Sequence, residues 1–304
     1  MPPLVINVTG AATGFGALAA RALARQGHTV YAGLRASTPA LTRDIETFGR
    51  EHGADLRPLE QDMLSDASVA ASARAMLRGA GRVDVVVHNC GHGAVGPAEA
   101  FTPAQMARQY DVNVLSTQRL NRALLPHMRA RGRGLLVWVS SSSVHGAVPP
   151  FLAPYFASKA GMDAMAMAYQ LELSRFGVES TIVVPGAFTR GTNHFAHLSP
   201  PEDDEVARAY RDAGSPYEGV EKRAFAALAA FEPEDARAAD VADRIVEVVG
   251  MAHGTRPGRV HVDPAGDGAD VVSAVRERLR EDRLRLGGLE DLFVVRMGEG
   301  EGAE

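Results

Sequence analysis

The sequence predicts a doubly wound α/β fold, three layers deep (α/β/α), around a parallel seven-stranded sheet. Short β-branched or aliphatic runs alternate with longer Ala-rich stretches of helical period. The runs are apolar throughout rather than alternating, as strands covered on both faces must be. Composition agrees: 304 residues, 46% hydrophobic and 23% charged, belong to a globular chain able to bury a full core. A formal charge of −5 argues against a nucleic-acid partner, which requires clustered Lys and Arg to neutralise phosphates. The basic residues are nearly all arginine, with lysine only at Lys159 and Lys222. The lone Cys90 cannot form an intrachain disulfide, the N-terminal apolar run has no charged region before it, and no stretch approaches the roughly 18 apolar residues of a membrane span. A cytoplasmic chain with no membrane partner is expected.

Strands are expected at 4–8, 29–33, 56–60, 83–88, 134–140, 180–184 and 259–262, with helices starting near Phe15, Pro39, Ser65, Pro103, Pro154 and Pro233. After Pro185 the regular order stops. Residues 186–219 are rich in Gly, Pro, Asp and Glu with one short helical pattern at 205–211, so 187–232 reads as a lid over the strand ends. The expected division is one dinucleotide-binding and catalytic domain over 1–265, a helical C-terminal extension over 266–296, and a disordered tail over 297–304.

The first strand runs into Thr9-Gly10-Ala11-Ala12-Thr13-Gly14-Phe15-Gly16 and then a helix. Glycines there permit a tight turn and let a pyrophosphate reach backbone N–H groups at a helix N-terminus, where the dipole favours an anion. A dinucleotide is the natural ligand. At the end of the second strand no acid stands ready for a ribose 2′-OH, whereas Arg35 offers a planar fork suited to a 2′-phosphate. NADP(H) is therefore favoured over NAD(H).

Tyr155 and Lys159 stand four apart at a helix entry, on one face. An ammonium beside a phenol stabilises the phenolate and lowers the tyrosine pKa, giving an acid and base for proton transfer. Upstream, Ser140 to Ser143 follow the apolar strand directly, where a hydroxyl can donate to a carbonyl or oxyanion. Val148, Phe151, Leu152, Phe188 and Phe195 flank these motifs as candidate apolar walls. His88, His92, His145, His194 and His197 lack metal-site spacing, so solvated or capping roles are expected and no metal is implied.

These features together resemble the short-chain dehydrogenase/reductase family, a Rossmann-type fold, over residues 4 to 195. Thr9 to Gly16 match its glycine loop, Tyr155 and Lys159 its Tyr-x-x-x-Lys, and Asn113 its catalytic asparagine. His88-Asn89-Cys90-Gly91 departs from the family's Asn-Asn-Ala-Gly but keeps Asn89 and Gly91. The resemblance implies adenine contacts from Asp62 and its neighbour Met63, a turn beside the nicotinamide at Pro185-Gly186 extending to Phe188, and a carboxamide-binding hydroxyl from Thr189 or Thr192. It implies a catalytic serine at Ser141 by strand register or Ser142 by interval from Tyr155, with Ser141 favoured because register is stiffer than loop length. Asn113 and Lys159 would feed a water-linked proton path. Within the family the chain looks closest to NADP-linked hydroxysteroid and retinol reductases. The implied activity is hydride transfer between nicotinamide and a carbonyl or secondary alcohol of a small apolar substrate, in a homodimer or homotetramer. Two other readings compete. A non-catalytic NADP-binding sensor would need a broken catalytic group, and a sugar-nucleotide epimerase usually carries a differently spaced glycine loop.

Overall fold

A computed structural model describes residues 2–35, 38–146 and 149–296. Seven parallel strands form one sheet in the order β3-β2-β1-β4-β5-β6-β7: β1 (Val5–Val8), β2 (Thr29–Leu34), β3 (Leu56–Glu60), β4 (Val85–His88), β5 (Gly134–Val139), β6 (Val178–Pro185) and β7 (Arg259–Val262). The order reverses between β1 and β4, so a crevice opens outside their carboxyl ends, where such sheets bind ligands.

Two cores sandwich the sheet. On one side α1 (Gly14–Arg25) and α2 (Pro39–His52) pack with α9 (Ala239–Gly250), the small Ala19, Ala20 and Ala24 meeting Val241, Ile245 and Val249. The other side holds α3 (Asp66–Ala80), α4 (Pro103–Tyr110), α5 (Ser116–Arg131) and α6 (Ala153–Glu172), with Met76, Leu120, Leu124, Met162 and Trp138 fully buried. Helix starts follow local chemistry. Thr38 and Ser65 cap α2 and α3, Thr102 and Gln105 close a capping box on α4, and proline opens α2, α4 and α6.

Three expectations need correction. The helix from Pro103 is interrupted by a π-helical turn at Asp111–Leu115, which carries Asn113. Within residues 187–232, α7 (Asp204–Arg211) lies where the short helical pattern predicts it, and α8 (Val220–Phe231) is a second helix that the composition does not predict. None of its residues is fully buried; Ala224, Phe225 and Leu228 form a half-buried stripe, with Phe225 edge-on to Phe195, and alanine's helix propensity supports the rest. The helix expected near Pro233 starts at Ala239. Its place is taken by turns in which Pro233 O accepts from Ala236 and Arg237 O from Asp240.

The last helix, α10 (Ala269–Leu286), lies against α6 and the loop after β5 through Arg280 to Met167 O and Gln170, and Ser273 to His145. Among the described residues no helix is long and apolar enough to cross a membrane. The tail expected at 297–304 and the wall residue Val148 lie outside the described residues.

Candidate active site

The crevice at the β1/β4 reversal is built by the glycine loop. Gly10 and Gly14 adopt φ of +63° and +56°, which only glycine takes without strain. A Cβ on Gly16 would stand 2.4 Å from both Asn89 Nδ2 and Gly10 O, so the loop closes over the space a side chain would fill. Asn89 Nδ2 donates to the carbonyls of Thr9 and Gly10 at 3.0 and 3.2 Å, while Thr9 Oγ1 accepts from the backbone N–H of Asn89 and of Cys90, both at 3.0 Å. Asn89 thus braces the loop from the end of β4.

Thr13 caps α1 without a side-chain hydrogen bond, and the first turn carries no acid, so the positive end of the helix is left for a diphosphate. Phe15 stands edge-on to Phe188 at 5.5 Å, beneath the loop. Arg35 is exposed at the end of β2, and its charge reaches Cys90 and His92 across the crevice. Asp62 is half-buried and accepts from Leu64 N at 3.0 Å, and Met63 is buried beside it. Gly91 faces Asn113 and Lys159, which lie 3.1 and 3.7 Å from where its Cβ would be. These residues fit a dinucleotide: a side-chain-free turn, an open helix N-terminus and a cation at the adenosine end.

Beyond Pro185, Gly186 leaves room for Asp263, whose carboxylate would meet a Cβ at 2.0 Å. The two candidate threonines separate. Thr189 N donates to Glu232 at 2.8 Å, and its hydroxyl bonds the same carboxylate, so Thr189 ties the start of the 187–232 segment to its end. Thr192 Cβ lies 3.8 Å from the Cβ position of Gly14, against the glycine loop.

The opposite wall holds the chemistry. Tyr155 enters on the first turn of α6, hydrogen-bonded to Ser141. Ser141 Oγ also accepts from Ser143 Oγ at 2.8 Å. Ser142 is buried in the following turn, where its carbonyl accepts from His145 and Gly146, so Ser141 is the serine against the phenol. The Lys159 ammonium lies 5.9 Å from the Tyr155 ring centroid and donates to Val139 O at 2.8 Å. Burial lowers the Lys159 pKa to about 8. Burial likewise pushes Tyr155 up to about 12, against the bond from Ser141, so the expectation that Lys159 brings the phenol towards neutral does not hold for the chain alone.

Asn113 is fully buried in the π turn. It accepts from His92 N at 2.8 Å and donates to His92 O and to Ser158 Oγ at 3.0 and 2.7 Å, bracing the segment after β4 against α6. Of the walls, Phe151 and Leu152 are buried beside the site, Phe195 belongs to the lid, and Phe188 packs on the cofactor side.

The five histidines differ in their surroundings. His88 is buried, not solvated: its ring packs tilted against Trp138 at 4.5 Å, pairs with Asn121 at 2.8 Å, and is pushed by burial to a pKa of about 4. His92 bonds Ser199 of the lid and His145 bonds Ser273, while His197 is exposed. Among the described residues no three metal-ligating side chains converge. Sequence reasoning also missed Asp163, which accepts from Ser140 Oγ at 2.8 Å and is paired with Arg259. Its position four after Lys159, on the face that carries Tyr155, was the available signal.

Comparisons with known proteins agree with this geometry. The short chain dehydrogenase family model matches residues 4–203. The chain is 32% identical over 200 residues to a 3-ketodihydrosphingosine reductase of Bacteroides thetaiotaomicron, covering 66% of this chain and 69% of that protein. It is 37% identical over 194 residues to mouse 17-beta-hydroxysteroid dehydrogenase type 1, covering 62% of this chain but only 55% of that enzyme's length. A solved metagenomic short-chain oxidoreductase in complex with NADP superposes with a TM-score of 0.64 at 26% identity, over 86% of this chain and 96% of that one. With a family match over most of the chain, a seven-stranded sheet of the required order, and Tyr155, Lys159 and Ser141 gathered at its crevice, the chain belongs to the short-chain dehydrogenase/reductase family of hydride-transferring oxidoreductases.

Proposed function

We propose that the chain is an NADP(H)-dependent carbonyl reductase or secondary-alcohol dehydrogenase acting on a small apolar substrate. The observation that carries this is the Tyr155 phenol, bonded to Ser141 and standing beside the buried Lys159 at the mouth of the glycine crevice. When bound, the nicotinamide cofactor supplies or takes the hydride.

The chain's own residues handle the proton and the oxygen. With its pKa near 12, Tyr155 is protonated at neutral pH and is set to donate to a substrate oxygen that becomes an alkoxide. Ser141 lies against the same phenol, placed to hydrogen-bond that oxygen where negative charge develops. Lys159, at about 8, exchanges its proton near working pH and is placed to hold ribose hydroxyls. Asn113 positions the segment beside it. For the cofactor we assign Gly10, Thr13, Gly14, Phe15 and Gly16 to the diphosphate turn, Asp62 and Met63 to the adenine, Asn89 and Gly91 to the ribose side, and Pro185, Gly186, Phe188 and Thr192 to the nicotinamide side. NADP(H) preference rests on Arg35, supported by the NADP-bound structural neighbour.

A homodimer or homotetramer is proposed through α4, α5 and α6. Met106, Tyr110 and Leu115 are exposed there, and the exposed Phe176 lines a groove with Leu125, Pro126, Tyr169 and Leu173. A monomer by light scattering at micromolar concentration would remove that assignment. The cytoplasm is kept as the proposed compartment on the single free thiol, Cys90.

The test of the reaction is Tyr155→Phe with NADPH and a panel of cyclic ketones, aldehydes and steroids. The variant is expected to bind NADPH, seen by nicotinamide fluorescence, and to lose carbonyl-dependent NADPH oxidation. Retained turnover would overturn the proposal.

A further inference from the structure

Phe151 and Leu152, just before Tyr155 in the chain, are buried and apolar, and Phe195 packs against Phe225. His194 is different. Its imidazole centroid lies 5.2 Å from the Tyr155 ring, at an interplanar angle of 52°. The residue is half-buried, and among the described residues neither ring nitrogen has a hydrogen-bond partner.

Three contacts fix it there. Val95 N donates to Ser199 O and Ser199 N to Gly93 O, both at 3.0 Å, so the lid runs parallel to the segment after β4. His92 Nε2 meets Ser199 Oγ at 2.7 Å. Gly93 supplies the space: a Cβ there would stand 2.2 Å from Leu198 Cδ2 and 3.1 Å from His194 Nε2. Burial, then the charges of Lys159 and His92, push the His194 pKa down to about 4. At neutral pH the ring is therefore uncharged, with one N–H donor and one bare acceptor nitrogen.

A carbonyl that reaches Tyr155 and Ser141 must lie beside this ring. Hydrocarbon placed against it would shut an unpaired N–H away from water, whereas an oxygen would satisfy it. Sites built to hydrogen-bond a substrate group reject the analogue lacking it far more strongly than apolar pockets sort methylenes. We propose that His194 is a specificity-determining residue that hydrogen-bonds a second oxygen of the substrate, so that the preferred class is a ketone bearing a further carbonyl or hydroxyl rather than a simple ketone. The proposal rests on the reductase reading and narrows its substrate.

The test measures kcat/KM for NADPH oxidation with cyclohexanone and the 1,2-, 1,3- and 1,4-cyclohexanediones, in the wild-type chain and in His194→Phe, which keeps a ring and removes both nitrogens. Intrinsic ketone reactivity is common to both proteins and cancels between them. The ratio of the best dione to cyclohexanone is expected to fall at least about tenfold in the variant, with cyclohexanone itself changed by less than about threefold. An unchanged ratio, or an equal loss on both substrates, overturns the assignment. If NADPH binds yet no ketone is turned over, the reductase reading fails instead. His194 is then judged by its C2 proton resonance, identified by its absence from His194→Phe. A shift with a dione and none with cyclohexanone supports the role; equal or absent shifts overturn it.

Discussion

Arg259 of β7 grips Asp163 of α6 at two points, 2.7 and 2.8 Å, and the same carboxylate accepts from Ser140 Oγ at 2.8 Å. The pair therefore ties the sheet edge to the helix carrying Tyr155 and Lys159, and both to the residue preceding Ser141. Burial works to raise the Asp163 pKa, but the bonds and charge of Arg259, with Ser140, bring it below the usual aspartate value. A depressed carboxylate stabilises the fold above its unfolded pKa of about 4 and loses that contribution as the pH falls through the lower, folded value. Arg259→Met strands a buried charge and is expected to cost about 3–5 kcal/mol at pH 7 in urea unfolding, with the deficit narrowing towards pH 4 as Asp163 protonates. A deficit below about 1 kcal/mol would show that the pair holds little.

Ser141 and Ser142 are neighbours with different surroundings. Only Ser141 bonds the phenol, so Ser141→Ala is expected to lower kcat about a hundredfold, the scale of one lost donor to a developing oxyanion. Ser142→Ala should change kcat less than about fivefold at unchanged cofactor affinity. Steady-state rates on a ketone substrate decide it, and the reverse order would move the serine assignment.

Arg35 bears the cofactor choice. A guanidinium meeting a 2′-phosphate makes charge-assisted, two-point contacts. Arg35→Ala is expected to weaken NADPH binding about tenfold or more and NADH binding by less than about twofold. Fluorescence titration with both cofactors measures this, and equal losses would deny Arg35 a phosphate partner.

His88 gives a pH signature. Its folded pKa of about 4 lies below the unfolded value near 6.5, so between these limits the unfolded chain binds the extra proton and stability rises with pH. As the pH falls from about 6.5 to 4 the fold is expected to lose on the order of 3 kcal/mol from this residue alone. His88→Asn removes the titrating ring, and its Tm should fall less steeply across that window. Parallel Tm curves for the two proteins would contradict the assignment.

Local chemistry determined a large part of this protein. Apolar runs short enough for strands, alternating with Ala-rich helices, specified a doubly wound sheet. Gly10, Gly14 and Gly16 marked the crevice, and Tyr155 with Lys159 showed themselves because four residues is one helical turn. Such signals lie within a few residues of one another, so periodicity and spacing carry them. Tertiary structure decided the rest. Ser141 was separated from Ser142 by which hydroxyl the loop turns towards a helix it does not belong to. Thr189 came to bond Glu232, 43 residues on, while Thr192 came to lie against Gly14. The expected phenol pKa reversed because burial around Tyr155 outweighs its neighbours, a property of enclosure that no spacing encodes. His194 meets Tyr155 from a segment whose Ser199 pairs with the stretch after β4. Contacts of this kind depend on the path of the chain through space, which the local pattern of residues does not specify.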